Sequence, residues 1–318
     1  MAEIMTIRKL PSIAVLGPGG IGGFLAAVFC KAGFPVTCVA TPDRVEQITK
    51  DGIHLESAMF GTFTAHPRAV DLLDATASPS DSIALGPSIL FIAVKATTLN
   101  DAITRVDPEI VRGAVIIPLL NGIEHMEVLR RRFPGQIAAG TISMEAYEKT
   151  PGHVIHATSF ARIRVAADDA DLRERLRDAI ALIAEAGLTT EIGASEARIL
   201  WEKLVRLNAL ALMTTRYKKP IGEIRDNEQM RRELMQLVSE AVTVAAKEGA
   251  VIDVHNVMAH LDRLEPSQFS SLKRDIDQEK QSELDAIAGA IVRAGMCHGI
   301  SCPTIAAFIS AIEHDQAR

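Results

Sequence analysis

The 318-residue chain has only four cysteines, Cys30, Cys38, Cys297 and Cys302, and no C-x-x-C among them. That is too few for a disulfide framework at this size. They read as reduced packing residues, with Cys297 and Cys302 the pair to consider for redox chemistry. No apolar run reaches the length of a membrane span, and the first ten residues, Met1 to Leu10, lack the apolar core of a signal peptide. A cytoplasmic protein with no membrane partner is therefore expected. A positive excess is missing too: the formal net charge is -6. Nucleic acid is thereby disfavoured as a partner, as is an anionic bilayer, because each needs a basic face. Small anionic ligands need only a local cluster and stay open. With 48% hydrophobic and 23% charged residues the composition is that of a soluble globular enzyme. The length exceeds one ordinary core, so two domains are expected.

One stretch organises the rest: Ser12-Ile-Ala-Val-Leu-Gly-Pro-Gly-Gly-Ile-Gly-Gly23. A mostly apolar strand runs into a glycine turn, and Phe24 to Lys31 reads as helix. Gly17, Gly19 and Gly22 give G-x-G-x-x-G in strand-turn-helix context, the dinucleotide fingerprint. The first glycine permits the tight turn, the second lets backbone approach a pyrophosphate, and the third lets helix pack on strand. Phosphate would then sit at the positive end of the helix. Pro35 to Ala40 reads as the second strand and Asp43 to Lys50 as a short helix, with Asp43 a plausible N-cap. At the end of that strand a carboxylate would suit NAD, and an arginine the 2′-phosphate of NADP. Ala40 and Thr41 are not acidic and Arg44 follows, which favours NADP, although Asp43 lies near the ~20-residue offset expected of the NAD carboxylate.

Residues 53–56 and 61–70 read as short strands and Leu73 to Pro87 as a loop. Ser88 to Val94 is a continuous apolar strand that ends on Lys95, and Val115 to Leu120 ends on Asn121-Gly122, before a helix from Glu124 to Arg132. Strand-end positions of an open α/β sheet face ligand. Lys95 is thus either a ligand contact or a solvated lysine opening a loop, and Asn121 either a ligand contact or half of a good turn. His153 and His156 invite a metal, yet three positions apart on a strand they point to opposite faces, so none is expected there. After a helix at 171–186 and a strand at 188–192, only amphipathic helical segments follow. The fold class is therefore an α/β Rossmann domain, 1–193, followed by an all-α domain, 194–318, whose long helices suit a homodimer.

In the second domain, Leu200, Leu204, Leu207, Leu210 and Ala211 all lie within about 100° of Lys203 around their helix. A lysine on that face either snorkels to an edge or sits in a cleft, where desolvation makes it a usable proton donor. Ser282 and Asp285 have capping-box spacing, so a helix is expected to begin there, with Glu283 in its first turn as a plain dipole-favoured acid or as a partner of Lys203.

These motifs, in order, resemble the ketopantoate reductase family: Gly17-Pro-Gly-Gly-Ile-Gly22, Val94-Lys95, Leu120-Asn121-Gly122, Pro151-Gly-His-Val-Ile-His156, Trp201-x-Lys203-Leu, Ser270-Ser271 and Glu283-Leu-Asp285. The resemblance covers about residues 12 to 305. It implies a Rossmann domain, a helical domain in which substrate binds, and NADPH-dependent reduction of ketopantoate, a small 2-oxo acid, to pantoate in pantothenate synthesis. It also implies roles. Lys203 would be the general acid and Glu283 would orient it. Ser271 would hold the substrate carboxylate, while Lys95 and Asn121 would line the site from the cofactor side. Cofactor would rest on Gly17, Pro18, Gly19, Gly20, Ile21 and Gly22, with Arg44 on the 2′-phosphate.

The chain departs from the family where two asparagines, four and eight residues after the lysine, give way to Leu207 and Ala211. Asn208 lies about 140° around the helix and does not replace them. A related 2-oxo acid reductase with a more apolar substrate is the alternative reading. A non-catalytic NADP-binding sensor is the other, and retention of both Lys203 and Glu283 speaks against it.

Overall fold

The structure, a computed structural model, describes residues 11–74 and 86–316. The chain forms two compact units. The first takes the described residues up to Val94, then Thr98–Leu120 and Glu127–Ile192; the second takes Lys95–Thr97, Asn121–Met126 and the chain from Gly193 onward. Two short segments from the first 193 residues, Lys95–Thr97 and Asn121–Met126, thus group with the second unit. Each follows a strand of the first unit but bonds to side chains of the second.

In the first unit the order is β1 (Ile13–Leu16), α1 (Gly20–Lys31), β2 (Val36–Val39), α2 (Pro42–Asp51), β3 (Ile53–Ser57), β4 (Gly61–Ala65), β5 (Arg68–Val70), β6 (Ile89–Ile92), α3 (Leu99–Ile103), β7 (Val115–Pro118), α4 (His125–Arg132), β8 (Ala139–Ser143), β9 (Ala146–Thr150), β10 (His153–His156), β11 (Arg162–Ala166), α5 (Ala170–Glu185) and β12 (Thr189–Ile192). A parallel five-stranded sheet has the order β5-β2-β1-β6-β7. Its strands β1, β2, β6 and β7 are buried at every position, as expected of nearly continuous apolar runs covered on both faces. Strand order reverses between β1 and β6, which puts the carboxyl end of β1 at the position where open α/β sheets take ligands. Two smaller sheets, β4-β3-β10-β9 and β12-β11-β8, complete the unit. Gly22 to Phe29 of α1 are all buried, because this helix packs against β1 and β2 of the parallel sheet and also against β3, β4, β9 and β10. Phe24, Phe29 and Phe91 are among its largest fully buried side chains, each worth about 1.5–3 kcal/mol of transfer free energy.

Three local expectations change. Helix α2 begins at Pro42 with Thr41 at the N-cap, so Asp43 lies inside the first turn; proline's fixed φ suits the first helical position. The single stretch 61–70 breaks at His66-Pro67 into β4 and β5, which join different sheets. Of the Leu73 to Pro87 loop, Leu73 forms a β-bridge with Val106, and residues 75–85 lie outside the described residues, as do Met1 to Leu10.

The second unit contains α6 (Glu196–Tyr217), α7 (Ile221–Asp226), α8 (Glu228–Lys247), α9 (Val254–Asp262), α10 (Ser271–Asp277), a π-helical segment (Asp285–Gly289), α11 (Ala290–Cys297) and α12 (Pro303–Gln316). Its helices start where side chains satisfy orphan N–H groups: Ser195 Oγ accepts from Arg198 N, Asn227 Oδ1 from Met230 N and Ser270 Oγ from Lys273 N. Helix α6 is its axis, since Trp201, Leu204, Val205, Ala209, Leu212 and Met213 are buried in one core with residues of α8 and α12. The expected start at Ser282 is corrected as well. The carbonyl of Glu283 accepts from Ile287 N at 3.0 Å, so Glu283 itself sits at the entrance, ahead of the first turn. Its side chain is engaged elsewhere, as described below. Cys30, Cys38, Cys297 and Cys302 are all free; Cys297 is exposed at the end of α11, so it is not a packing residue. No helix of the described residues is long and apolar enough to cross a membrane.

A Cβ at Gly22 would lie 2.2 Å from the Gly17 carbonyl oxygen, whereas one at Gly113 would meet nothing within 4 Å. Gly22→Ala should therefore cost about 1–3 kcal/mol in urea unfolding of the cofactor-free protein. Gly113→Ala should stay within about 0.5 kcal/mol of the parent.

Candidate active site

The glycine turn follows β1. Gly17 has φ +85°, and a Cβ there would strike Val94 Cγ1 at 2.4 Å, so only glycine fits. At Gly19 the situation is opposite: an added Cβ would meet nothing within 4 Å. Open space beside a backbone turn at a helix entrance is what a pyrophosphate needs, so the loop fits a dinucleotide. Gly20 is where β9 comes in, with Tyr147 Cα 2.8 Å and Ala146 O 2.9 Å from the position of an added Cβ. Arg44 reaches the same turn from α2. Its Nη2 donates to Pro18 O at 2.7 Å and to the Glu148 carboxylate. Gly17, Pro18, Gly19, Gly20, Ile21, Gly22 and Arg44 thus belong to one neighbourhood of the first unit. Glu148, which steadies Arg44, carries no local sequence signal, because it sits on a strand 104 residues further on.

The second neighbourhood lies in the second unit. Glu283 Oε2 accepts from Asn121 Nδ2 at 2.8 Å, and Oε1 accepts from the backbone N–H of Ala96 at 3.1 Å. Glu283 is only 8% exposed, so its carboxylate depends on these donors. The Asn121-Gly122 turn is tight for a physical reason. Gly122 has φ +84°, and a Cβ on it would lie 2.4 Å from Ala286 O. Arg293 anchors the chain two residues past Gly122, donating from Nε and Nη2 to both oxygens of Glu124 at 2.7 and 2.8 Å while its Nη1 donates to Asp285 Oδ1 at 2.6 Å. Lys95 Nζ donates to Asp275 Oδ2 at 3.0 Å and to Gln281 O at 3.1 Å.

Lys203 is half-buried on the apolar face of α6. Burial lowers its pKa to about 8; the Glu283 charge opposes that shift and Arg206 adds to it. It is thus a cationic acid at neutral pH with a proton that is easily given up. His125, 4% exposed, has neither ring nitrogen hydrogen-bonded among the described residues. Burial, and then the Lys203 charge, push its pKa down to about 3, so it is a neutral imidazole. Ser270 is buried, with its hydroxyl 2.9 Å from Thr214 Oγ1; Ser271 is exposed at the first position of α10. Leu207 is half-buried, Ala211 fully buried, and Asn208 fully buried with neither amide atom hydrogen-bonded among the described residues.

Asn121 and Glu283 are brought together, with Lys203 in electrostatic reach of Glu283, while the Lys95 side chain is held by Asp275 and Gln281. Asp275 and His125 are the residues that sequence reasoning left without a role. Asp275 stands four residues after Ser271 on α10, a visible helical spacing, but its partner is 180 residues away. His125 gave no signal beyond its place after Asn121-Gly122.

The model of "Ketopantoate reductase PanE/ApbA" matches residues 13–169, and its C-terminal counterpart matches residues 197–316. The chain belongs to the ketopantoate reductase family. It is 29% identical over 301 residues to the 2-dehydropantoate 2-reductase of Mycobacterium tuberculosis, covering 92% of this chain and 93% of that one. Identity to the Caulobacter vibrioides enzyme of the same name is 28% over 313 residues, covering 95% and 98%. The crystal structure of a family ketopantoate reductase from Ralstonia eutropha JMP134 superposes with a TM-score of 0.81 at 25% identity, covering 96% of this chain and all of that one. D-Mandelate dehydrogenase with NADH and anilino(oxo)acetate shares the fold, with a TM-score of 0.83 at 19% identity and coverage of 96% and 98%. Family membership makes the chain an oxidoreductase acting on CH–OH groups, of the 2-oxo acid reductase type, with a nicotinamide dinucleotide, NADPH in this family, as cofactor.

If Arg44 contacts the 2′-phosphate, Arg44→Ala removes a charge-assisted bond worth about 1.5–3 kcal/mol. The Kd for NADPH should rise about tenfold or more, and that for NADH by less than about threefold. Fluorescence titration of both cofactors checks this; equal losses would reduce Arg44 to a support of the Pro18 turn.

Proposed function

We propose that this chain reduces the ketone of a 2-oxo acid, 2-dehydropantoate (ketopantoate), to pantoate, with Lys203 as general acid. The observation that carries the reading is Lys203 itself: a half-buried ammonium on an apolar helix face, its pKa lowered to about 8, with Glu283 as its counter-charge. Gly17, Pro18, Gly19, Gly20, Ile21 and Gly22 would hold the pyrophosphate and Arg44 the 2′-phosphate. When bound, NADPH supplies the hydride that adds to the carbonyl carbon.

The protein's own contribution is charge and a proton. As the carbonyl oxygen gains charge, the Lys203 ammonium stabilises it and then gives up one N–H proton to it, which completes the alcohol and leaves a neutral amine. Glu283 keeps a negative charge beside that amine, fixed in place by Asn121 and the Ala96 N–H. Ser271, exposed at the entrance of α10, would receive the substrate carboxylate, and Lys95 would add positive charge. Leu207 and Ala211 favour a second reading within the same chemistry. With no polar group at either position, the pocket loses hydrogen bonds to a hydroxylated substrate and favours a more apolar 2-oxo acid.

Turnover is tested by NADPH oxidation with ketopantoate beside 2-oxo acids that lack its hydroxyl. A steep preference for ketopantoate supports the first reading, comparable turnover supports the second, and no turnover of any of them refutes both. Lys203→Ala should lower kcat by about 10²–10⁴, with the Kd for NADPH nearly unchanged. The acid is the protonated lysine, so kcat/KM for reduction should fall as pH rises through about 8. The opposite reaction needs the neutral amine and should gain over the same range. An alkaline limb that persists in Lys203→Ala would place the titrating group elsewhere.

A further inference from the structure

His153 and His156 lie on opposite faces of β10: His156 is buried against the Phe24 ring and His153 faces outward. The outward histidine is not alone. Register places His54 of β3 beside it, and Glu56 lies two residues further along the same face of β3. The inward positions of that strand, Ile53, Leu55 and Ser57, are buried, so the alternation of a half-buried strand commits His54 and Glu56 to the outer face. One ligand atom from each of His54, Glu56 and His153 lies within 4.8 Å of the others. His153 Nε2 is 2.6 Å from Glu56 Oε1, and the two imidazole rings meet edge to face at 4.8 Å between centroids.

We infer that His54, Glu56 and His153 form a binding site for a divalent transition-metal ion of the zinc class. Two imidazole nitrogens with one carboxylate are a donor set that suits zinc, cobalt, nickel or copper better than the all-oxygen preference of magnesium or calcium. Three protein ligands leave a fourth position for water, and side-chain exposures of 24% at His153 and 45% at Glu56 give an ion a way in. The histidine of β3 is already oriented. Thr64 Oγ1 on β4 lies 3.1 Å from His54 Nδ1, and a Nδ1–H donating to it leaves Nε2 for an ion. No lysine or arginine occupies the positions paired with these residues in the sheet: Thr64 and Thr62 stand opposite on β4, and Thr150 stands beside His153 on β9. Contraction from 4.8 Å to the about 3.3 Å between ligands of a tetrahedral zinc requires only rotation of half-exposed side chains. The backbone is held by the sheet, so the ion would clamp strands whose paired residues are 99 positions apart.

The test uses the full chain, stripped with a chelator and titrated with ZnCl₂ by calorimetry, with thermal melts in parallel. One equivalent should bind and raise the melting temperature, because an ion that binds only the folded state stabilises it. Cys297→Ser removes the exposed thiol and should leave this equivalent intact. His153→Asn, and separately the shape-conserving Glu56→Gln, should lose at least about tenfold in affinity, while their melts in chelator match the parent. Cobalt in place of zinc should give the visible bands of a nitrogen- and oxygen-ligated site with no thiolate charge transfer. Failure of the parent to bind, or zinc uptake equal in parent and both variants (an adventitious ion only), would overturn the site.

Discussion

Two hydrogen bonds to one carboxylate hold the second unit's site in place. Glu283 accepts from the amide of Asn121 and the backbone N–H of Ala96, groups that follow two different strands of the parallel sheet. Each donor alone would leave an oxygen of a nearly buried carboxylate unsatisfied, which is costly. Together they bring Lys95–Thr97 and Asn121–Met126 into the helical unit, where Arg293 and Asp275 secure them. Since Glu283 opens its helix with no side-chain duty at the helix end, its charge is free to act on Lys203.

Lys203 is the balance point of three influences. Burial disfavours the ammonium most, Glu283 restores part of it, and Arg206 takes some away. Without the carboxylate, burial and Arg206 would both act against the charged form, and the ammonium would give up its proton more readily still. With a fully solvated lysine the proton would be held too tightly. His125 matters here by being neutral, since a charged imidazole beside Lys203 would move the ammonium further down.

The glycine turn, the buried parallel strands and the change to helices were legible because each is a local pattern: spacing in a turn, an apolar run, a 3.6-residue period. Lys203 stood out for the same reason, as a charge on an apolar helix face. What was not legible depends on partners remote in sequence. Glu148 behind Arg44 and Asp275 behind Lys95 are tied by ion pairs that span 104 and 180 residues. His153 read as half of a pair split by its strand, and only the parallel pairing of β3 with β10 shows what stands next to it. The start of the last helical segment was misplaced because capping-box spacing at Ser282 and Asp285 describes a local option, whereas burial of Glu283 decides the outcome. Proline chemistry overrode a plausible acidic cap at Asp43 in the same way, although that conflict lay within three residues.

Leu207 and Ala211, which stand where the resemblance leads one to expect asparagines, are not equivalent. Ala211 is fully buried within the helical core. Leu207 is half-buried on the same face as Lys203. An apolar pocket discriminates poorly against a ligand that merely adds a hydroxyl, by about 10²-fold, whereas a hydrogen-bonding pocket rejects one that lacks it by about 10⁴–10⁵. Replacing asparagine by leucine therefore relaxes selection more than it reverses it. On the proposed reading, a pocket with leucine at position 207 tolerates ketopantoate and accepts plainer 2-oxo acids alike.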